Sequence, residues 1–446
     1  MSGTFWAERA WLGEGPVLDQ VEMQVAGGRF TSVRTGVAQP ASDAERLAGL
    51  TIPGLANCHS HAFHRALRGR TQRAGGTFWT WRQQMYAAAA RLDPDLYFEL
   101  ALATYREMAA TGITSVGEFH YLHHDPDGAP YQDPNTMSHA LIAAAKQAGI
   151  RIALLDTCYL ASQIGSPPEG VQLRYSDGNV EAWRDRVDAL VATAGDEPDV
   201  VVGAAIHSIR AVPRAQVTGV VGWVAERQVP LHLHLSEQVE ENEASLAAYG
   251  ATPTAVFAEE GALGPRTSAV HATHLAPTDI RMLGAEAGYV TICPTTERDL
   301  GDGIGPTREL SSAGARLTLG TDSHAVVDLF EEMRGVEMDQ RLASRRRGHW
   351  TAEQLLVAAT RTGHESLGFP DGGRITTGGR ADLVTLDTAS IRTAGTGAGV
   401  EGAVFAATAA DVSSVVSGGR LVSTGADRPD IARSLERVIA RVWEER

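Results

Sequence analysis

His59-Ser60-His61 closes the stretch that begins with the apolar run Leu50 to Ala56. Two imidazoles one residue apart on an extended segment project to the same side, so a divalent metal can sit between them. Farther along come His234, with Glu237 three residues later, then His271 and His274, and Asp322 within Leu317-Thr-Leu-Gly-Thr-Asp-Ser-His324. Three histidines and a carboxylate that leave one coordination position open suit hydrolysis, whereas structural zinc is closed by four protein ligands, usually including cysteine.

We therefore expect a metal held by His59, His61, His234 and Asp322. Lysine usage bears on whether one ion or two are bound, because many binuclear barrel hydrolases bridge their metals with a carbamylated lysine at a strand end. The chain's single lysine, Lys146, falls inside a helix predicted over Met137 to Ala148, which favours one ion. Zinc is the first expectation, with Fe2+ or Mn2+ suited to the same oxygen and imidazole donors. A bound zinc lowers the pKa of water from ~15.7 to about 7. Side chains must still move protons: Glu237 can carry one to a leaving nitrogen, and His271 and Asp322 can take one from the water. A lone buried histidine is more often a hydrogen-bonded core residue, but five such groups on one face argue for a site.

The elements that must gather these residues alternate between short β-rich apolar runs and alanine-rich amphipathic stretches, the pattern of repeated βα units. Strands are predicted at Thr51 to Asn57, Ile113 to Phe119, Ile150 to Thr157, Val200 to Ile206, Pro230 to Leu235, Ser268 to Ala272, Tyr289 to Cys293 and Leu317 to Thr321. Polar, ionisable residues follow every one of them but the third. A closed α/β (β/α)8 TIM-like barrel places all those ends on one face. The flanks read instead as short strands with glycine turns, and predict one small β-sandwich domain formed from both termini, closed by a helix from Asp430 to Glu445. The expected division is residues 1–50, sandwich; 51–370, barrel; and 371–446, sandwich plus helix.

Composition narrows the partners. The formal charge of −15 over 446 residues argues against nucleic acid and against anionic membrane surfaces. No stretch approaches the ~20 apolar residues that span a bilayer, and the N-terminus lacks the basic start and apolar run of a secretory signal, so a cytoplasmic location is expected. Cys58, Cys158 and Cys293, odd in number and far apart, read as reduced core thiols. His232 reads as core, His123, His124 and His139 as loop or helix decoration, and His274 and His324 as partners behind the site.

Pro53-Gly-Leu-Ala-Asn-Cys-His-Ser-His61, His234-x-x-Glu237, His271, Gly320-Thr-Asp-Ser-His324 and the tail Gly379-Arg-Ala-Asp-Leu-Val384 together resemble the amidohydrolase superfamily over essentially the whole chain. Within it, the chain is most similar to the formimidoylglutamate deiminases of bacterial histidine degradation. That likeness rests on Phe78-Trp-Thr-Trp-Arg82, Glu118-Phe-His-Tyr-Leu-His-His124, His207-Ser-Ile-Arg210, Thr295-Thr-Glu-Arg-Asp-Leu-Gly-Asp-Gly303 and Asp328-Leu-Phe-Glu-Glu-Met-Arg334. The resemblance implies a mononuclear zinc, hydrolysis of N-formimino-L-glutamate to N-formyl-L-glutamate and ammonia, and a homodimer. Carried over residue by residue, it assigns Arg82, Tyr121, His207 and Arg210 to the two carboxylates of a dicarboxylate substrate, for which arginine's planar fork is well suited. His64 stands where the family carries glutamine, and either residue can bond a substrate polar group. Two other readings compete: a deaminase of guanine or an adenosine derivative, whose pocket should offer apolar slabs and few arginines, and an inactive barrel scaffold, which should lack a ligand or Glu237. The glycine-containing segment Gly69 to Gly76 is a candidate lid.

Overall fold

The computed structural model describes residues 2–72, 76–286, 288–397 and 399–444. The N-terminal flank contributes β1 (Ser2–Ala10), β2 (Leu18–Ala26), β3 (Arg29–Arg34) and β4 (Glu45–Pro53). Eight strands then alternate with helices: β5 (Leu55–Ser60), β6 (Ile113–His120), β7 (Arg151–Cys158), β8 (Val200–Ile206), β9 (Leu231–Leu235), β10 (Thr267–His271), β11 (Tyr289–Ile292) and β12 (Arg316–Leu319). The C-terminal flank adds β13 (Leu383–Leu386), β14 (Val412–Ser417) and β15 (Arg420–Thr424), then a helix Arg428–Trp443. Among the described residues no helix is long and apolar enough to cross a membrane.

β5 to β12 form an eight-stranded parallel sheet in sequence order, as right-handed βα crossovers require. Side chains of β5, β6 and β7 are buried on both faces, which is why these strands read as continuous apolar runs. The cylinder closes where β12 meets β5. The Thr321 and Asp322 N–H groups donate to His59 O at 3.1 and 2.9 Å, and Asn57 bonds Thr321 through both ends of its amide. Closure thus brings the first and last site residues together.

The surrounding helices carry the sequence signals that start and orient them. Pro94–Ala110 begins with Asp93 accepting the Leu96 N–H at 2.8 Å and with proline in its first turn. It buries Leu96, Leu100, Tyr105 and Met108 against the barrel and ends before Gly112, whose φ of +100° needs a residue without Cβ.

The two flanks meet in one continuous seven-stranded mixed sheet, ordered β15-β14-β13-β4-β1-β2-β3, with its own apolar cluster including Phe5, Met23, Phe30 and Leu383. The strand expected over Thr51 to Asn57 is in fact two. The chain leaves this sheet at Pro53 and enters the barrel at Leu55, turning at Gly54, where a Cβ would lie 2.3 Å from Thr114 Oγ1. An unbroken apolar run cannot register that passage, because both strands are buried. The terminal helix starts at Arg428, two residues before its expected start, and of the expected lid segment residues 73–75 lie outside the described residues.

Candidate metal centre and active-site cavity

His59 and His61 lie at the C-terminal end of β5 with ring centroids 4.8 Å apart. Backbone carbonyls fix two of the imidazole tautomers. His61 Nδ1–H donates to Phe119 O at 2.9 Å and His234 Nδ1–H donates to His207 O at 2.8 Å, so each ring presents a bare Nε2 lone pair inward. His234 Nε2 is 3.1 Å from His59 Nε2, and Asp322 Oδ1 is 3.4 and 3.3 Å from the Nε2 atoms of His59 and His61. Nitrogen lone pairs and a carboxylate oxygen converging at this range need a cation among them, and four such donors fit one divalent ion. Burial holds His59 and His234 below the usual histidine range and His61 at about 3, so these rings are neutral, the state that ligates metal.

Glu237 follows β9 by two residues, with Oε1 3.8 Å from His271 Nε2, which in turn lies 3.8 Å from Asp322 Oδ2. His271 Nδ1 is 3.3 Å from Glu297 Oε1, on the helix Pro294–Leu300. Burial opposes charge on His271, but Glu237, Glu297 and Asp322 outweigh it and raise the ring to about 10. Glu237 is pushed up in turn, chiefly by burial. Ser236, His271, Asp322 and His324 all have positive φ, between 40° and 68°. Such backbone strain at the ends of three strands, β9, β10 and β12, is tolerated only where surrounding structure holds it.

Beyond these groups lies a cavity of about 60 Å³, lined among others by His64, Arg82, Tyr121, His207 and Arg210. The four residues carried over by resemblance, and His64 where the family has glutamine, therefore face one space with the metal donors. His64 Nε2 bonds Tyr121 Oη at 2.9 Å and its ring lies 4.6 Å from that of His61. Arg210 Nε donates to Glu241 Oε2 at 3.0 Å, while its Nη2 is 3.8 Å from Glu237. Tyr86, Tyr159 and Tyr175 also line the cavity and were not foreseen. Tyr159 directly follows β7, the strand whose end had seemed to offer no ionisable group; a phenol there was the available signal. Glu297 and Glu241 carried none, since each sits on a helix after its strand.

Outside the cavity, His123 and His124 are buried rather than decorating a loop. Their N–H groups both donate to Arg174 O, and His124 Nε2 lies 3.1 Å from Asp177. His120, His123 and Asp156 also cluster, but Arg186 bonds Asp156 at 2.7 and 2.8 Å, and a second cation would meet that guanidinium. Lys146 is exposed and bonds Glu197, remote from the centre as its helix required. His324 Nε2 bonds Ser60 Oγ at 3.1 Å, behind the ligands, and His232 is buried within the barrel. The three cysteines are free and buried.

A family model described as Amidohydrolase family matches residues 50–422. The chain belongs to the amidohydrolase family. Among amidohydrolase relatives and neighbours, formimidoylglutamate deiminase of Pseudomonas aeruginosa is 38% identical over 403 residues, which is 87% of this chain and 86% of that protein. A 5-methylthioadenosine/S-adenosylhomocysteine deaminase of Syntrophobacter fumaroxidans is 29% identical, over 88% of this chain and 84% of that one. In three dimensions an amidohydrolase from Brucella melitensis superposes with a TM-score of 0.91 at 30% identity, covering 99% of this chain and all of that one. The chain is thus a hydrolase of the deaminase branch of amidohydrolases.

Proposed function

We propose that this amidohydrolase is a deiminase that hydrolyses N-formimino-L-glutamate to N-formyl-L-glutamate and ammonia. The observation that carries the reading is a cavity bounded by two arginines, Arg82 and Arg210, with Glu237, His271 and four metal donors at one end. A neutral purine offers no negative charge to two guanidinium groups, whereas a dicarboxylate offers one anion to each. The 38% identity to the Pseudomonas deiminase supports the same choice.

His59, His61, His234 and Asp322 would hold the ion, with zinc the first candidate for three imidazoles and a carboxylate. When bound, such an ion acts as a Lewis acid that makes water a competent nucleophile near neutral pH. Asp322, 3.8 Å from His271, takes the proton from the attacking water, and His271, held protonated by its bracketing carboxylates, hydrogen-bonds the charge that develops there. Glu237, its carboxyl raised by burial, delivers a proton to the terminal amidine nitrogen as the C–N bond breaks. Ammonia leaves and the carbon keeps the water oxygen as a formamide carbonyl. Arg210, close to Glu237, takes with His207 and Tyr121 the carboxylate nearer the reacting carbon, and Arg82 the farther one.

Ammonia release from N-formimino-L-glutamate, N-formimino-L-aspartate, guanine and 5-methylthioadenosine tests the assignment. The first should be turned over with the highest kcat/KM. Equal or faster turnover of either purine would overturn the substrate choice.

A further inference from the structure

The wall of the cavity around Arg82 contains a hydrogen-bond arrangement that the reaction above does not use. Gln172, 4% exposed on the connection after β7, accepts the Glu169 N–H on its Oε1 at 3.1 Å. That bond fixes the amide's orientation, so its NH2 end must face the opposite way. There Nε2 lies 2.9 Å from Tyr86 Oη and 3.0 Å from Tyr159 Oη, and the amide donates to both phenols. Tyr86 Oη also receives the Arg82 Nε–H at 2.6 Å, and the Arg82 guanidinium hydrogen-bonds Tyr159 as well.

Each phenol oxygen is therefore supplied with N–H donors from two side chains. What remains to each is its own proton, and both hydroxyls belong to rings that line the cavity. Two O–H donors held outward beside a guanidinium form a receptor for an anion, not for a donor or an apolar group. From this we infer that Tyr86 and Tyr159, polarised by Gln172, complete with Arg82 the site for the substrate carboxylate farther from the reacting carbon. Gln172 is the positioning residue: it touches no substrate, but it determines that the phenols donate. Burial raises the Tyr159 phenol above its usual range, which keeps the proton in place.

The inference rests on the dicarboxylate reading, so the test separates the two. Calorimetric binding of N-formyl-L-glutamate is compared with N-formyl-L-norvaline, which keeps the chain length and lacks only the far carboxylate, in the wild type, Gln172→Met and Tyr159→Phe. Either substitution should weaken the glutamate ligand about tenfold, the size of one hydrogen bond to a charged group, and shift the norvaline ligand less than about twofold. Kinetically, Gln172→Met should raise KM for N-formimino-L-glutamate with kcat little changed. A structural defect would weaken both ligands together. Equal losses on the two ligands, no loss on either, or a wild type that does not distinguish them would overturn the inference. Selective loss with no ammonia release from N-formimino-L-glutamate would support this anion site and refute the substrate reading alone.

Discussion

Replacing Arg210 by Met removes two things at once, and the structure separates them. Arg210 Nε bonds Glu241 Oε2 at 3.0 Å, and the Glu241 side chain is fully buried, its other oxygen accepting the Ser236 N–H at 2.8 Å. Without the guanidinium, Glu241 is a buried carboxylate lacking its counter-charge, a change that typically costs ~3–5 kcal/mol of stability. The same substitution deletes a charged hydrogen bond to substrate, worth about 1.5–3 kcal/mol, which corresponds to a rise in KM of roughly ten- to 150-fold. The double variant Arg210→Met, Glu241→Gln removes the stranded charge as well. It should recover most of the lost stability in urea denaturation while KM for N-formimino-L-glutamate stays as high as in the single variant. Recovery of KM together with stability would refute the binding role, leaving Arg210 as a structural partner of Glu241. A single variant as stable as the wild type would refute the energetic argument.

Glu237→Gln keeps shape and removes the proton carrier, so kcat should fall by about 10²–10⁴ with KM little altered, measured by steady-state ammonia release. Lys146→Ala should leave metal stoichiometry and kcat/KM unchanged, since Lys146 is exposed and paired to Glu197; loss of metal would instead implicate it in a second site. Burial raises Glu118 from an ordinary 4.5 to about 7. A carboxyl raised in the folded state favours the native protein when protonated, so stability should fall as pH rises from the unfolded value through the folded one, by about 3 kcal/mol. Glu118→Gln should flatten that slope between pH 5 and 8 in urea melts, and an unchanged slope would refute the assignment.

Much of the site was legible because strand periodicity places His59 and His61 on one side and because barrel closure brings strand ends to one face. That logic reaches residues on strands or just past them, including His234, His271 and Asp322. It does not reach Glu241, Glu297 or Gln172, which are delivered by helices and by the connection after β7. Nor does it reach the carbonyls of Phe119 and His207, which set the ligand tautomers, since every residue has a carbonyl and only the fold chooses which is near. The apolar run across Gly54 hid a change of sheet, because burial on either side looks alike in composition. His123 and His124 were misplaced for a related reason: their polarity suggests exposure, and the backbone bonds to Arg174 and the Asp177 carboxylate that permit burial come from elsewhere in the chain.

Metal quantification with anomalous diffraction at the zinc edge addresses the central claim most directly. Zinc-supplemented wild-type protein should contain one equivalent per chain, with a single anomalous peak among His59, His61, His234 and Asp322, and His61→Ala should lose it. Two equivalents, a peak elsewhere, or no peak after zinc addition would contradict the account.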